Sequence, residues 1–367
     1  MNKLACLLIV VLLCGCSRDE VIVTESKTLN TMLKQAPLER VDLDQHPIDT
    51  VYAERFIHFN SPALLQQEVF ISNPVSLVHT DRFFYVITRH APFIVQFDRK
   101  GNLVTKISRE GRGPNEFDII TNVAKNNHYI FITDGGNARI NVYDHAMDYQ
   151  RSFSSPNVEL TLISHYIELP ATDEYMLLKT TREADNLISL VGTDSNQRRI
   201  RTFFPRLIPP GQQPQAVNNF LADISDDKIM VVAYVGLPYL FLFDDTLRHN
   251  YTIVLETEKF AGHIPSLDPE TDVGQERGVR VITTNITWIE SNYLMVVNSN
   301  IITILKKDRA SFSIQGRYKL EYEDPEVAAE HDYGVLIRII DLDEQFMYLT
   351  SSFDDGVYRF PLTKIGL

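Results

Sequence analysis

The chain has 367 residues, 44% of them hydrophobic, and 35 Lys and Arg against 48 Asp and Glu give a net charge of −13. This length allows a large core, and the acidic balance argues against nucleic acids and anionic lipid surfaces as main partners. Aromatic and β-branched residues in short runs with frequent turns predict an all-β fold.

The N-terminus has the pattern of an export signal. Lys3 precedes an apolar run at residues 4–13, which is too short to span a bilayer as a helix. The sequence Leu-Cys-Gly-Cys that ends at Cys16 then resembles a bacterial lipobox. This resemblance implies a lipoprotein signal peptide at residues 1–15 and lipidation of Cys16, which leaves no free thiol for a disulfide. An ordinary signal peptide with incidental cysteines is the alternative.

The next segment is predicted to be a tether. The segment Ser17-Arg18-Asp19-Glu20, with its acidic residues Asp19 and Glu20, resembles the surface-export signal of Bacteroidota lipoproteins, which implies an outer-membrane protein exposed at the cell surface. A periplasm-facing location is the alternative. Residues 16–50 show no sustained hydrophobic period, so we expect a flexible lipid-anchored tether with one short helix around residues 27–34.

Strand patterns begin at residue 51. Residues 51–59 (VYAERFIHF) form one strand without a local partner, and residues 75–107 contain four β-rich runs separated by turns. The clearest copy of this arrangement is residues 111–153, where Asn, Asp and Gly mark the turns between four runs. Four antiparallel strands joined by tight turns are the unit of a β-propeller.

The second copy also carries a motif that resembles the NHL repeat, which implies a propeller blade. The motif residues are Gly111, Gly113, Pro114, Glu116, Phe117, Asn137 and Arg139. Asp134 and Arg139 flank one hairpin turn, so a carboxylate–guanidinium pair can staple the turn. We interpret this pair as structural, with ligand contact as the alternative.

Fainter copies follow at residues 160–204, 220–255, 279–320 and 335–360, which gives six blades. The last copy lacks a fourth strand, and we predict that residues 51–59 pair with it and close the ring, which removes two exposed sheet edges. The alternative places residues 51–59 at the start of blade one. The pattern resembles six-bladed, NHL-like propeller lipoproteins of Bacteroidota and assigns the propeller to residues 51–367.

A candidate binding site lies where the second strand of each blade ends, because these positions share one face near the central channel. Convergent polar groups in a concave mouth indicate a ligand site, although turn chemistry alone also places polar residues there. The candidate residues are Arg89, Asp134, Thr180, Tyr234, Asn298 and Ser351, with His90, Arg182 and Tyr239 as neighbours on the same face.

Three long connections, at residues 205–219, 261–278 and 321–334, are expected on the same face, where long loops are usually functional or mobile. The acidic third connection is a possible Ca²⁺ ligand set, but it lacks the regular spacing of a calcium loop. We therefore expect a solvated acidic surface there and predict no cofactor.

The sequence contains no recognisable catalytic motif, and three functions remain open. The first is an envelope-anchored, non-enzymatic binding module with a protein or glycan partner, and the third, a purely structural part of an envelope complex, differs from it only in having no ligand of its own. The second is a metal-dependent hydrolase or lyase at the channel mouth, with Asp134 and Asn298 as candidate ligands. The fold alone does not decide between them.

Overall fold

The computed structural model describes residues 26–125, 128–154, 163–168, 174–179, 185–192, 199–208, 215–260, 281–309, 311–330, 337, 339–350 and 355–367. The N-terminal segment contains α1 (Lys27–Gln35), β1 (Leu38–Asp42), β2 (Asp49–His58) and α2 (Pro62–Gln66). Among all the residues that the structure describes, no helix is long and apolar enough to cross a membrane.

Six sheets follow one another along the chain. Blade one consists of β3 (Pro74–His79), β4 (Phe83–Thr88), β5 (Ile94–Asp98) and β6 (Leu103–Lys106). The connection to blade two contains a parallel pair of two-residue strands, β7 (Arg109–Glu110) and β8 (Glu116–Phe117). Blade two consists of β9 (Ile120–Lys125), β10 (Tyr129–Asp134), β11 (Arg139–Asp144) and β12 (Tyr149–Ser154). Blade three consists of β13 (Ile163–Glu168), β14 (Glu174–Lys179), β15 (Asn186–Gly192) and β16 (Arg199–Pro205).

The second half of the ring has the same order. Blade four consists of β17 (Phe220–Ile224), β18 (Met230–Tyr234), β19 (Tyr239–Phe243) and β20 (His249–Glu256). Blade five consists of β21 (Asn285–Ile289), β22 (Tyr293–Asn298), β23 (Ile301–Asp308) and β24 (Ser311–Tyr322). Blade six contains β25 (Ile339–Leu342), β26 (Phe346–Thr350) and β27 (Gly356–Pro361). Short helices lie at Gln215–Asn218, Glu258–Phe260, α3 (Pro325–Glu330) and Leu362–Ile365.

The core lies between the blades. The middle strands β18 and β19 are buried along their whole length, because both faces of the sheet are covered by neighbouring blades. Each hydrophobic cluster accordingly spans two adjacent blades, for example blades four and five or blades six and one. The first strands of neighbouring blades contact one another from blade six through blade one to blade five, as expected for the strands that surround the central channel of a propeller.

The strand β2 closes the ring. Residues 54–58 pair in antiparallel fashion with β27 and supply the missing fourth strand of blade six. This confirms the predicted pairing of the N-terminal strand with the last blade. The preceding half of β2, residues 49–53, runs parallel to β24 of blade five. One strand therefore ties the last two blades together, which the sequence pattern does not predict.

The segment before β2 is folded, which corrects the expectation of a tether over residues 26–50. Ser26 caps the N-terminus of helix α1, and its Oγ accepts the Leu29 N–H at 3.2 Å. The buried face of the helix contains Leu29, Met32 and Leu33. These side chains pack into the cluster of blades three and four. Strand β1 then adds a fifth, parallel strand to blade four beside β20. The short helix predicted around residues 27–34 is thus present and belongs to the core.

Candidate binding face and central channel

The structure separates the predicted site residues into three groups. Cys16, Thr180, Arg182 and Ser351 lie outside the described residues. Asp134, Tyr234 and Tyr239 are buried, with at most 1% of each residue exposed. Arg89 and His90 are exposed, and Asn298 is partly exposed. The last three are therefore the described candidates that a ligand can reach, and the three buried side chains need another explanation.

Asp134 organises the turn between β10 and β11. Its Oδ1 accepts hydrogen bonds from the backbone N–H groups of Asp118, Ile119 and Asn137. Its Oδ2 accepts from the Asn137 side chain at 2.7 Å and from Arg139 Nε at 3.4 Å. Donors of this turn and of the loop before blade two surround both oxygens, which supports the structural interpretation of the Asp134–Arg139 pair.

Arg139 extends the staple into a clamp on the loop before blade two. Its Nη1 donates to the carbonyl of Arg112 at 2.7 Å. Its Nη2 donates to the carbonyls of Gly113 and Glu116 at 3.0 and 2.7 Å. The Asn137 side chain adds a bond to the Gly111 carbonyl at 2.8 Å. The motif residues therefore meet in space, and we name this set the loop clamp.

Glu116 links two residues of the same loop, Arg109 and Gly113, through its carboxylate. Its Oε2 accepts the Gly113 N–H at 2.7 Å, and its Oε1 accepts from Arg109 Nε at 2.7 Å. The Gly113 N–H and then Arg109 lower the pKa of Glu116, because both interactions favour the carboxylate. Gly111 has φ +149°, and a Cβ there would lie 2.2 Å from Glu116 Oε2. Only glycine fits at this position. Phe117 is fully buried between blades one and two.

The two buried tyrosines hold the core of blade four. The Tyr234 ring stacks on Phe204 at 4.4 Å between centroids, and its hydroxyl donates to the Pro205 carbonyl of blade three. Tyr239 begins β19 and lies beside Phe241 at 6.2 Å between centroids. Burial raises the pKa of Tyr239 to about 12. Both positions are core positions rather than parts of an open face.

Arg89 and His90 lie beside the loop clamp on an exposed turn. The Arg89 carbonyl accepts the Ile120 N–H of blade two at 3.0 Å, and the Arg89 N–H donates to Asn73 at 3.1 Å. The His90 carbonyl accepts the Thr88 hydroxyl at 2.6 Å. The backbone is therefore fixed, while both side chains remain exposed. Asn298, in contrast, donates to the Ile282 carbonyl at 2.8 Å.

The long connections are only partly described. The first contains the short helix Gln215–Asn218, the second lies outside the described residues, and the third begins with the end of β24 and α3. Glu321 in the third pairs with Lys319 at 2.6 Å. Within the ranges described above, no three His, Cys, Asp or Glu side chains are grouped as a metal site. The Ca²⁺ alternative stays untested.

A polar network that the sequence analysis missed lies on the inner strands. Asp341 Oδ2 on β25 contacts His79 Nδ1 at 2.8 Å and accepts the His79 N–H at 2.5 Å. Its Oδ1 accepts from Lys125 Nζ on β9 at 2.6 Å. His79 and Lys125 are the last residues of the first strands of blades one and two. The network therefore joins three blades at the face opposite the ends of the second strands.

Asp223 makes a similar contact on the other side of the ring. Its carboxylate accepts the backbone N–H of Trp288, in blade five, at 2.6 Å. Burial raises the pKa of Asp223 to about 7, because the Trp288 and Ile224 N–H groups compensate only in part. Burial also acts on Asp341, but Lys125 and His79 outweigh it, and the pKa falls to about 2. The pKa values of the two buried carboxylates differ because Lys125 and His79 stabilise the charged form of Asp341.

The Asp341 network predicts a pH-dependent effect of one substitution. The pKa of Asp341 lies below its ordinary value of 3.8, so its stabilising contribution is present above about pH 4 and is lost as the pH falls toward 2. Lys125→Met should lower the free energy of unfolding by about 2 kcal/mol at pH 7 and by clearly less at pH 3. Urea unfolding at both pH values measures this. Lys106→Met, at an exposed position, is the control, and an equal loss at both pH values would contradict the assignment.

Six blades of antiparallel strands around a channel define this protein as a six-bladed β-propeller. The chain belongs to the DUF5128 family, described as a 6-bladed beta-propeller, whose model matches residues 66–276. The fold is similar to a DUF4221 family member from Bacteroides vulgatus, at 12% identity and TM-score 0.54, covering 84% of this chain and 95% of that chain. It is also similar to a protein from Bacteroides fragilis described as exported, at 11% identity and TM-score 0.51, covering 88% and 99%. A search of curated proteins finds no significant match.

Proposed function

We propose that the chain is an envelope-anchored, non-enzymatic binding module that recognises a protein or glycan through the face beside the loop clamp. One observation carries the proposal: Arg89 and His90 are exposed on a turn whose backbone is fixed from both neighbouring segments. Exposed side chains on a rigid scaffold are the usual construction of a recognition surface. Guanidinium and imidazole groups bind carboxylates, sulfates and sugar hydroxyls by directed hydrogen bonds.

The alternative of a metal-dependent hydrolase or lyase is not proposed for the described part of this face. Its two candidate ligands, Asp134 and Asn298, are already engaged with the protein's own N–H and C=O groups. A metal would have to displace those bonds. The binding proposal uses side chains that are exposed in the structure and requires no such rearrangement.

Affinity capture from gently solubilised outer membranes tests the binding role. The bait is the full chain, compared with the double variant Arg89→Ala/His90→Ala and with Arg82→Ala/Lys100→Ala as control. All four positions are exposed. Arg82 lies in the turn between the first and second strands of blade one and Lys100 in the turn between its third and fourth strands, both at the opposite face. A stoichiometric partner that the first variant loses and the control retains supports the proposal. A partner retained by both variants, or no partner, speaks against it.

The membrane anchor is a separate part of the proposal and has a separate test. It rests on the lipobox resemblance at Cys16, and the description of the similar Bacteroides fragilis protein as exported supports export alone. Cys16→Ser should move the protein from the membrane fraction to the soluble fraction of cells that process lipoproteins. Fractionation with an outer-membrane marker measures this change. A mutant that stays in the membrane fraction would refute the lipid anchor.

A further inference from the structure

An open groove of about 750 Å³ lies on the rim of the propeller, between α1 and blades three and four. Its floor is apolar and contains Met32, Phe204 and Phe243, each at most 4% exposed. This volume lies within the range of small-molecule sites, which are concave and mostly apolar with a few polar groups. The groove can therefore cover the apolar part of a small ligand.

The edge of this groove is cationic. Lys27, Arg201 and Arg248 line it and are exposed. Arg201 donates to the Thr246 carbonyl at 3.0 Å. Arg248 lies near the carboxylate of Asp244, which accepts its backbone N–H at 3.0 Å, whereas Lys27 and Arg201 form no ion pair with a carboxylate of the described residues. The described lining also contains no Asp or Glu, although the chain has a net charge of −13. Three cations with one neighbouring carboxylate, Asp244, leave a local positive potential at this edge.

Helix α1 adds to this potential. Lys27 and Thr28, in its first turn, both line the groove. The N-terminal turn of a helix carries partial positive charge and stabilises anions nearby. The three cationic side chains and the helix terminus therefore act in the same direction, and they come from α1, blade three and blade four.

We propose that this groove binds a small anionic amphiphile, in which a carboxylate, sulfonate or phosphate group is joined to an apolar group. The apolar group lies against Phe204 and Phe243, and the anion lies among Lys27, Arg201 and Arg248. The groove is formed by α1 and the adjoining parts of blades three and four, whereas Arg89 and His90 belong to blade one. This site is therefore independent of the binding face, and either proposal can fail without the other.

Two fluorescent dyes that differ in one group provide the test. The first is 8-anilinonaphthalene-1-sulfonate, and the second is N-phenyl-1-naphthylamine, which has the same rings without the sulfonate. The double variant Lys27→Gln/Arg248→Gln should weaken binding of the sulfonate dye about tenfold, since charge-assisted hydrogen bonds are lost, and should leave the neutral dye unchanged. The control Lys100→Gln/Lys106→Gln removes the same charge elsewhere and should affect neither dye.

A blocking variant identifies the place of binding. Thr31 is exposed on α1 and lines the groove, so Thr31→Trp should fill the groove and abolish saturable binding of both dyes. Circular dichroism and thermal unfolding show that each variant is folded. An unchanged sulfonate affinity in the double variant, an equal loss in the control, or dye binding that survives Thr31→Trp would overturn the proposal.

Discussion

Arg139→Ala is expected to lower the free energy of unfolding by about 3–5 kcal/mol, the cost of breaking a buried ion pair by removing one partner. The guanidinium is 13% exposed and Asp134 is 0% exposed. Without Arg139, the carbonyls of Arg112, Gly113 and Glu116 lose their donor, and Asp134 loses its only cationic neighbour in the clamp. Urea unfolding of purified protein at pH 7 measures the loss.

Two further substitutions separate the clamp from general effects of charge. Arg112→Ala removes an arginine of the same loop whose side chain is exposed, and it should change stability by less than about 0.5 kcal/mol. Arg139→Lys keeps the charge, but a lysine ammonium lacks the planar guanidinium that bonds all three carbonyls. About half of the loss in unfolding free energy should therefore remain in this variant. If Arg139→Ala and Arg112→Ala are equally mild, the clamp does not stabilise the fold.

The blades could be predicted from sequence because their signals are local. Short apolar runs and Asn, Asp and Gly turns lie within a few residues of each other, and each hairpin pairs neighbours in the chain. The role of residues 26–42 depends on partners more than two hundred residues away, such as Thr252 opposite Leu38. A signal was nevertheless present: Leu29, Met32 and Leu33 have the i, i+3, i+4 spacing of a helix with one apolar face.

The site was harder to predict than the fold. Polarity at the end of a strand indicated exposure for Asp134, but the loop before blade two covers this residue and supplies its hydrogen bonds. Burial of a residue at a strand end depends on the neighbouring blade, which strand patterns do not reveal. The Asp341 network lies at the other face of the ring, where the first strands end, and polar residues at the ends of the second strands do not point to it. The ends of the first strands would have aligned His79 with Lys125.

The closing strand leaves no room for a side chain at Gly356. This glycine begins β27 and pairs with His58 of β2. A Cβ at this position would lie 2.2 Å from the Ile57 carbonyl oxygen and 3.3 Å from its carbonyl carbon. Both atoms belong to the backbone, so a rotamer change cannot relieve the contact. The β2 backbone would have to move, although its other half is fixed beside β24.

Gly356→Ala should therefore lower the free energy of unfolding by about 2–3 kcal/mol, at the upper end of the cost of overpacking, and should loosen the ring where it closes. Hydrogen exchange should become faster in β2 and β27 before it does so in blade two. Gly135→Ala is the control, because its nearest neighbour is a methyl group of Thr121 at 2.8 Å rather than backbone. We expect it to cost less than about 1 kcal/mol. Unchanged hydrogen exchange in β2 would mean that closure of the ring does not depend on the close approach of Gly356 to Ile57. The parallel pairing with β24 would then be sufficient to keep β2 in place.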